Sequence, residues 1–468
     1  MSNKKLFTDF QEVSAKAWKQ KIQVDLKGAD YNETLVWESP EGIKVKPFYH
    51  LDDHVSTPPI SKSTNSWKIG HTIYAGNALM ANAKALEFLN RGVESIFFIV
   101  PSKEIEIDVL LKGIDIKKAP VYFELQFLSS DYVKKLAKVV GEAIGNIFIN
   151  IDIIGNLAKS GNWFDNLDKD YRILGNILET ALPNVLQVDV SLYQNAGANR
   201  VQQLAYALAH ANEYLNHFEN VFASLPRRQA GKAKESFVMN FKVAVGTNYF
   251  FEIAKLRALR LLWHTLSSEY GITTDCHIMA EPTKRNKTLY DYNTNMLRTT
   301  TECMSAVLGG ADVVFNTPYD AIYHKTNEFG ERIAVNQLLL LKNESHFDKV
   351  DNAADGTYYI ESLTQQLAEK ALELFKTIEK GGGFLKYLKD HTIQRKIKES
   401  AQKEQAKFDA EQEVLVGTNK FQNENDKMKD DLELYPFVKT NARKTLIEPI
   451  IERRLAETLE QKRLDDEQ

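Results

Sequence analysis

A (β/α)8 barrel (TIM barrel) of the α/β class is the fold this sequence predicts, and three observations predict it. Short apolar, β-branched runs recur through the middle of the chain. Stretches with apolar residues at i, i+3, i+4 and i+7 separate them, the period of amphipathic helices. Near-continuous apolar strands alternating with such helices indicate a parallel sheet covered by helices. No glycine-rich nucleotide fingerprint follows the first run, which disfavours an open, doubly wound sheet.

The predicted strands, in order, are SIFFIV (95–100), VYFELQF (121–127), IFINIDII (147–154), VLQVDVSL (185–192), FVMNFKVAV (237–245), CHIMAE (276–281) and DVVFNT (312–317). An eighth is sought in FDKVDNAADGTYYIES (347–362). Helices are predicted over 76–92, 200–218, 250–271 and 296–310. Seven or eight such units between 67 and 360 fit a closed barrel. Residues 1–66 differ in texture, with large apolar side chains at irregular spacing punctuated by Gly28, Pro40, Gly42 and Pro47. They predict an extended arm with a short helix and brief extended pieces, ending in a polar linker at 56–66. Residues 361–468 predict a C-terminal helical region: a helix over 363–380 stopped by Gly381–Gly383, then charged helical stretches such as 445–464.

The 468 residues are 43 % apolar and 26 % charged with a formal net charge of −4, which gives no reason to expect a nucleic-acid partner. No run approaches a membrane span, and MSNKKLFTDFQEVSAKAW does not read as a signal peptide, so a cytoplasmic protein is expected. Cys276 and Cys303 are the only cysteines, which excludes a disulfide framework or a cysteine-rich zinc site. Both read as buried small apolar residues.

None of the ten histidines stands in HExxH or another compact ligand spacing, so no metal site is expected. His277 reads as a structural histidine on a barrel strand, with a ligand role as the alternative. Glu252, Lys255, Arg257 and Arg260 read as the solvated face of a helix with local ion pairs. Thr247 and Asn248, at a strand-to-helix turn, are candidate pocket groups. Asp291 and Asn293 stand where helix caps belong. Catalytic side chains of a barrel belong at the C-terminal ends of its strands. The stretch DVSLYQNAGA (189–198) offers no histidine, lysine or cysteine there.

The same residues resemble, in order and spacing, the barrel part of the methylmalonyl-CoA mutase family. LKGADYNETLVWESPEGIKVKPFY is similar to the family's N-terminal signature, and IYAG (73–76) to the barrel start RTIRQYAG. NAGA (195–198) resembles EAGA, and NYFFEIAKLRALRLLW resembles NFFMEIAKLRAAR.LW. NMLRTTTECMSAVLGGADVVFNTPYDA, RIAVNQLLLLKNES and QEVLVGTNKF are similar to later family segments, so the likeness covers about 15–421. It implies radical isomerisation of methylmalonyl-CoA and succinyl-CoA with adenosylcobalamin, a channel gripping coenzyme A, and polar groups for the thioester.

The sequence departs from that pattern at each point. No DxHxxG, the family's cobalt-ligating motif, occurs. The Arg-, Tyr- and Pro-rich stretch ahead of the barrel is shortened to STPPISKSTNSWKIGH, and the arginines before Tyr74 are replaced by Thr72 and Ile73. Matching VSLYQNAGA to GYHMQEAGA puts Ser191 at the family tyrosine, Gln194 at the glutamine, and Leu192 at the histidine that bonds the thioester carbonyl. Losing such a donor costs about 3–4 kcal/mol of transition-state stabilisation. CHIMAEPT sets Met279 at the histidine and Glu281 at the glutamine of HCQTSG, and a two-residue slip would recover His277.

The resemblance therefore implies no catalytic residue here and a vestigial pocket of Tyr74, Ser191, Leu192, Gln194, Asn248, Met279 and Glu281. The expected role is that of a small subunit in a heterodimer with a larger chain that carries adenosylcobalamin. Two alternatives stand: a catalytic barrel borrowing cobalamin from a separate chain, and a transient accessory protein for a mutase.

Overall fold

The computed structural model describes residues 8–53, 66–180, 182–219, 237–272, 275–439 and 442–467. Except for Ser66, the predicted linker lies outside them. Two short strands, β1 (Trp37–Glu38) and β2 (Lys44–Val45), form an antiparallel pair in the arm. Eight parallel strands then close a barrel in chain order: β3 (Lys68–Tyr74), β4 (Ser95–Val100), β5 (Val121–Leu125), β6 (Ile147–Ile151), β7 (Asn184–Asp189), β8 (Asn240–Val245), β9 (His277–Pro282) and β10 (Val313–Phe315). The closing pair joins Phe315 to Gly70.

The alternation of each strand sorts its side chains into two cores. Outward residues such as Ile96, Phe98, Val121 and Phe123 pack beneath the surrounding helices. Inward residues Phe97, Tyr122, Phe148, Met279, Val313 and Phe315 fill the barrel itself. Gly70 belongs to the inner face, because a side chain there would collide with the Phe315 ring. Thr72 and Tyr74 follow it on the same face.

The strand order corrects the sequence reading in two places. The first strand is Lys68–Tyr74, which Lys68, His71, Thr72 and Tyr74 disguise as a polar segment. No strand forms over 347–362. That segment is a set of turns leading into the helix Tyr358–Lys380, whose Ile360, Leu363, Leu367, Ala371 and Ile378 are buried at helical spacing.

Four predicted strands also end early, VYFELQF at Leu125 and DVVFNT at Phe315 by two residues and two others where a helix begins. IFINIDII stops at Ile151, where the Asp152 carboxylate accepts from the Gly155 amide at 2.6 Å and caps the helix Ile153–Ser160. VLQVDVSL stops at Asp189, and Ser191–Asn195 is a one-turn helix. The final correction lies in the tail. Only Glu457–Asp466 is helical within the predicted 445–464 stretch. Pro449 cannot donate a helical hydrogen bond, and residues 445–456 instead run as a strap over the barrel loops. Ile450 N–H donates to Ala158 O at 2.7 Å, Arg453 N–H to Asn195 O at 3.1 Å, and Leu455 N–H to Arg285 O at 2.7 Å. Among the described residues, no helix is long and apolar enough to cross a membrane.

Candidate functional site

At the C-terminal end of the barrel, Lys242 on β8 projects among carboxylates. Its ammonium lies 3.6 Å from Glu124 on β5 and 3.5 Å from Glu281 on β9. Burial alone would lower its pKa, but Glu281, Glu124 and Asp189 outweigh that and push it well above the ordinary value. A lysine held protonated in this way serves as a fixed charge, not as a nucleophile or base.

Beneath it the barrel is plugged. Tyr122 and Phe148 stack with centroids 4.5 Å apart, and Phe97 meets Phe315 edge-on at 5.4 Å. His277 contributes to this layer: its Nε2 lies 3.0 Å from the Tyr122 hydroxyl and its ring 4.4 Å from Phe148. These contacts are those of a structural histidine.

Behind β7 a buried network sets the loop geometry. His210 bonds the Tyr193 hydroxyl through Nδ1 at 2.9 Å and lies 2.9 Å from Asp152 through Nε2. Tyr214 donates to Asp152 at 2.8 Å, and the Asp189 amide does so at 2.9 Å. Burial raises the Asp152 pKa, but His210 and the two backbone amides overcome it and hold the carboxyl below its usual value.

The second feature is a cavity of about 440 Å³ beside the mouth, between the arm turn at Trp37–Glu41, the loops after β7 and β8, and the helix Thr392–Asp409. Its floor is a chain of buried charges. Arg200 lies 3.0 Å from Glu41 and 2.9 Å from Glu252, and Glu252 lies 2.5 Å from Lys255. Lys255 also donates to Gln194 at 2.8 Å and to Gln203 at 3.1 Å. Burial raises the Glu252 pKa, yet Lys255 and Arg200 more than offset it, so the carboxylate stays ionised.

This overturns the reading of Glu252, Lys255, Arg257 and Arg260 as a solvated face: all four are buried. Their partners come from distant segments that the sequence of the helix cannot reveal. Arg257 pairs with Asp355 and Glu361, and Arg260 with Asp275 and Asp312. The capping expectation also fails, since the side chain of Asn293 makes no cap hydrogen bond.

The seven residues singled out from the sequence do not form one pocket. Gln194 and Asn248 line the cavity together, with Thr247. Met279 and Glu281 share the inner face of β9. Tyr74 is exposed at the end of β3, on the opposite side of the barrel from β7. The Ser191 hydroxyl donates to Asp189 at 2.5 Å. Leu192 is buried in the outer core. Lys242, Glu124 and Asp189 were not anticipated, although each is a lone charge inside an otherwise apolar strand run. Among the described residues, no group of histidine, cysteine, aspartate or glutamate could hold a metal ion. Cys276 and Cys303 are buried and unpaired.

Fold and site together define a (β/α)8 barrel protein with a charged mouth and a polar cavity at the C-terminal ends of its strands. The family described as Methylmalonyl-CoA mutase matches residues 103–464. The chain is 35 % identical over 448 residues to the methylmalonyl-CoA mutase small subunit of Porphyromonas gingivalis, covering 90 % of this chain and 71 % of that one. It is 25 % identical over 451 residues to the small subunit of Streptomyces virginiae, covering 89 % and 71 %. The methylmalonyl-CoA mutase of Cereibacter sphaeroides is 30 % identical over 466 residues, covering 86 % of this chain and 64 % of that one. The chain belongs to the methylmalonyl-CoA mutase family.

Proposed function

We propose that this chain is a non-catalytic small subunit of an adenosylcobalamin-dependent methylmalonyl-CoA mutase, stabilising a larger subunit that carries the cofactor and the working site. The observation that carries the reading is the plugged barrel. Phe97, Tyr122, Phe148, Met279 and Phe315 occupy the interior and leave no room within the barrel for a substrate. At the mouth, Leu192 offers a thioester carbonyl no hydrogen bond and is turned into the core. Lys242 is already committed to Glu124 and Glu281. These residues do not fit the substrate of the radical reaction, and with no DxHxxG in the sequence no step is assigned through cobalamin.

The arm supports a permanent partner. No residue of its helix Ala15–Asp25 is buried. Trp18 stacks on Phe48 at 5.0 Å yet stays half exposed, and Phe10 and Val24 are more exposed still. Such a patch favours burial against another chain. The names of the relatives in Porphyromonas and Streptomyces agree with a small-subunit role. In this reading the protein works in the cytoplasm, with 1–66 as the contact arm, 67–360 as the barrel and 361–468 as the C-terminal region. The test is a turnover assay of the purified chain with adenosylcobalamin and methylmalonyl-CoA. No isomerisation is expected; turnover at the rate of a complete mutase would overturn the proposal.

A further inference from the structure

A permanent partner needs more surface than the arm provides. An obligate interface takes more than the about 20–30 residues a side of an ordinary one, whereas the uncovered helix Ala15–Asp25 has 11. A second contact surface is therefore required, and the mouth of the barrel offers one. The chain covers part of that mouth itself. The strap at 445–456 crosses the loops after β6, β7 and β9, with its Ile447, Ile450 and Leu455 buried. The tail buries Leu289, Tyr290 and Tyr323 against Met428 and Phe437. The arm turn at Trp37–Glu41 lies beside the loops after β7 and β8.

Among the described residues, none of these elements covers the rim where β10 meets β3. There Tyr74 ends β3, Leu79 and Met80 stand in the first turn of the helix Ala78–Asn90, and Phe329 stands in the first turn of the helix Glu328–Leu339. The two helices are held side by side just below: Lys84, one turn on from Met80, lies 2.6 Å from Glu331, two residues on from Phe329. Tyr74, Leu79, Met80 and Phe329 are between 50 % and 73 % exposed. By contrast, the helices Ile107–Leu110 after β4 and Ile153–Ser160 after β6 begin with buried isoleucines. Large apolar side chains gathered in water in this way mark an interaction surface.

We propose that the larger subunit seats an apolar surface on this rim, against Tyr74, Leu79, Met80 and Phe329, and so closes the part of the mouth that the strap leaves open. The inference rests on the small-subunit reading and adds to it a second contact surface, away from the arm. The strap and the partner then divide the mouth between them, and the area that the arm lacks comes from the barrel itself.

The experiment measures the affinity of the full chain for the larger subunit by biolayer interferometry, with and without Leu79→Glu/Met80→Glu. Both positions are exposed in the first turn of a helix, where glutamate is favourable, and circular dichroism checks that the variant folds. The double variant should weaken binding by about a hundredfold or more, because two unpaired carboxylates would be buried in the contact. Hydrogen exchange on the unsubstituted proteins gives a second reading: amides over 74–81 and 328–331 should gain protection in the complex. Unchanged affinity, or no added protection at these residues, overturns the inference while the subunit reading stands. A chain that binds no larger subunit at all overturns both. Self-association of the chain that the double variant abolishes assigns the rim to a second copy and overturns the inference as well.

Discussion

The guanidinium of Arg200 lies 3.0 Å from the carboxylate of Glu41, and that contact fastens the N-terminal arm to the loop after β7. The arm is therefore not wholly given over to a partner. Its second half is tied to its own barrel: Trp37 meets Phe251 edge-on at 5.8 Å, and Tyr49 lies 5.1 Å from Tyr359. The helix Ala15–Asp25 is the part left uncovered.

Arg200→Ala should be strongly destabilising. It would strip Glu41 and Glu252 of their shared cation while both remain buried, and breaking a buried pair in this way costs about 3–5 kcal/mol. Urea unfolding of the variant measures the loss. A change under about 1 kcal/mol would mean that water reaches the pair freely.

Stability should fall on the acid side through Asp152. Its folded pKa is depressed, so its contribution is complete above the unfolded value of about 4 and is lost as pH falls through the lower folded value. Asp152→Asn should flatten that acid limb and cost about 1–3 kcal/mol at pH 7, where His210 and Tyr214 lose a charged partner. Thermal melts of both proteins from pH 7 down to pH 3 test the sign. An unchanged acid limb in the variant would assign the titration elsewhere.

Leu192→His should not create a mutase. The side chain at this position is buried in apolar surroundings, so an imidazole there is desolvated at a cost of about 1–3 kcal/mol. The plug in the barrel would be untouched. A variant that isomerises methylmalonyl-CoA once adenosylcobalamin is added would show that the rest of a working site is present.

Much of the barrel is legible in the sequence because buried parallel strands are apolar on both faces. SIFFIV is strand from end to end for that reason. The first strand is not legible, because Gly70, Thr72 and Tyr74 face the interior and its mouth, where bulk is supplied from across the barrel by Phe315. The charges of the helix Tyr249–Glu269 are misread for a related cause: periodicity reports which positions are polar, not which distant acids will neutralise them. Asn248 and Thr247 stand out in the sequence by their place at a strand-to-helix turn, and both line the cavity. The Lys242 cluster is assembled by register between β5, β8 and β9, which no single segment encodes. The strap at 445–456 is hidden because its apolar residues, Ile447 and Ile450, imitate a helical face while packing from irregular, non-helical chain.

Deleting residues 1–26 should abolish association with a larger mutase chain while leaving the eight-stranded barrel folded, since Trp37, Glu41 and Tyr49 keep their contacts with it. Pull-down of the truncated chain with the large subunit checks this, with circular dichroism as the control for folding. Retained association would move the contact surface off the arm.

The most direct measurement is co-expression of this chain with a longer, cobalamin-binding mutase chain, followed by size-exclusion chromatography and a mutase assay of each fraction. The account predicts one heterodimer peak holding both chains and all the activity, with the large chain impaired or insoluble alone; an obligate interface of this kind buries about 2,000–5,000 Å². Two chains that elute separately, with the large one fully active by itself, would contradict it.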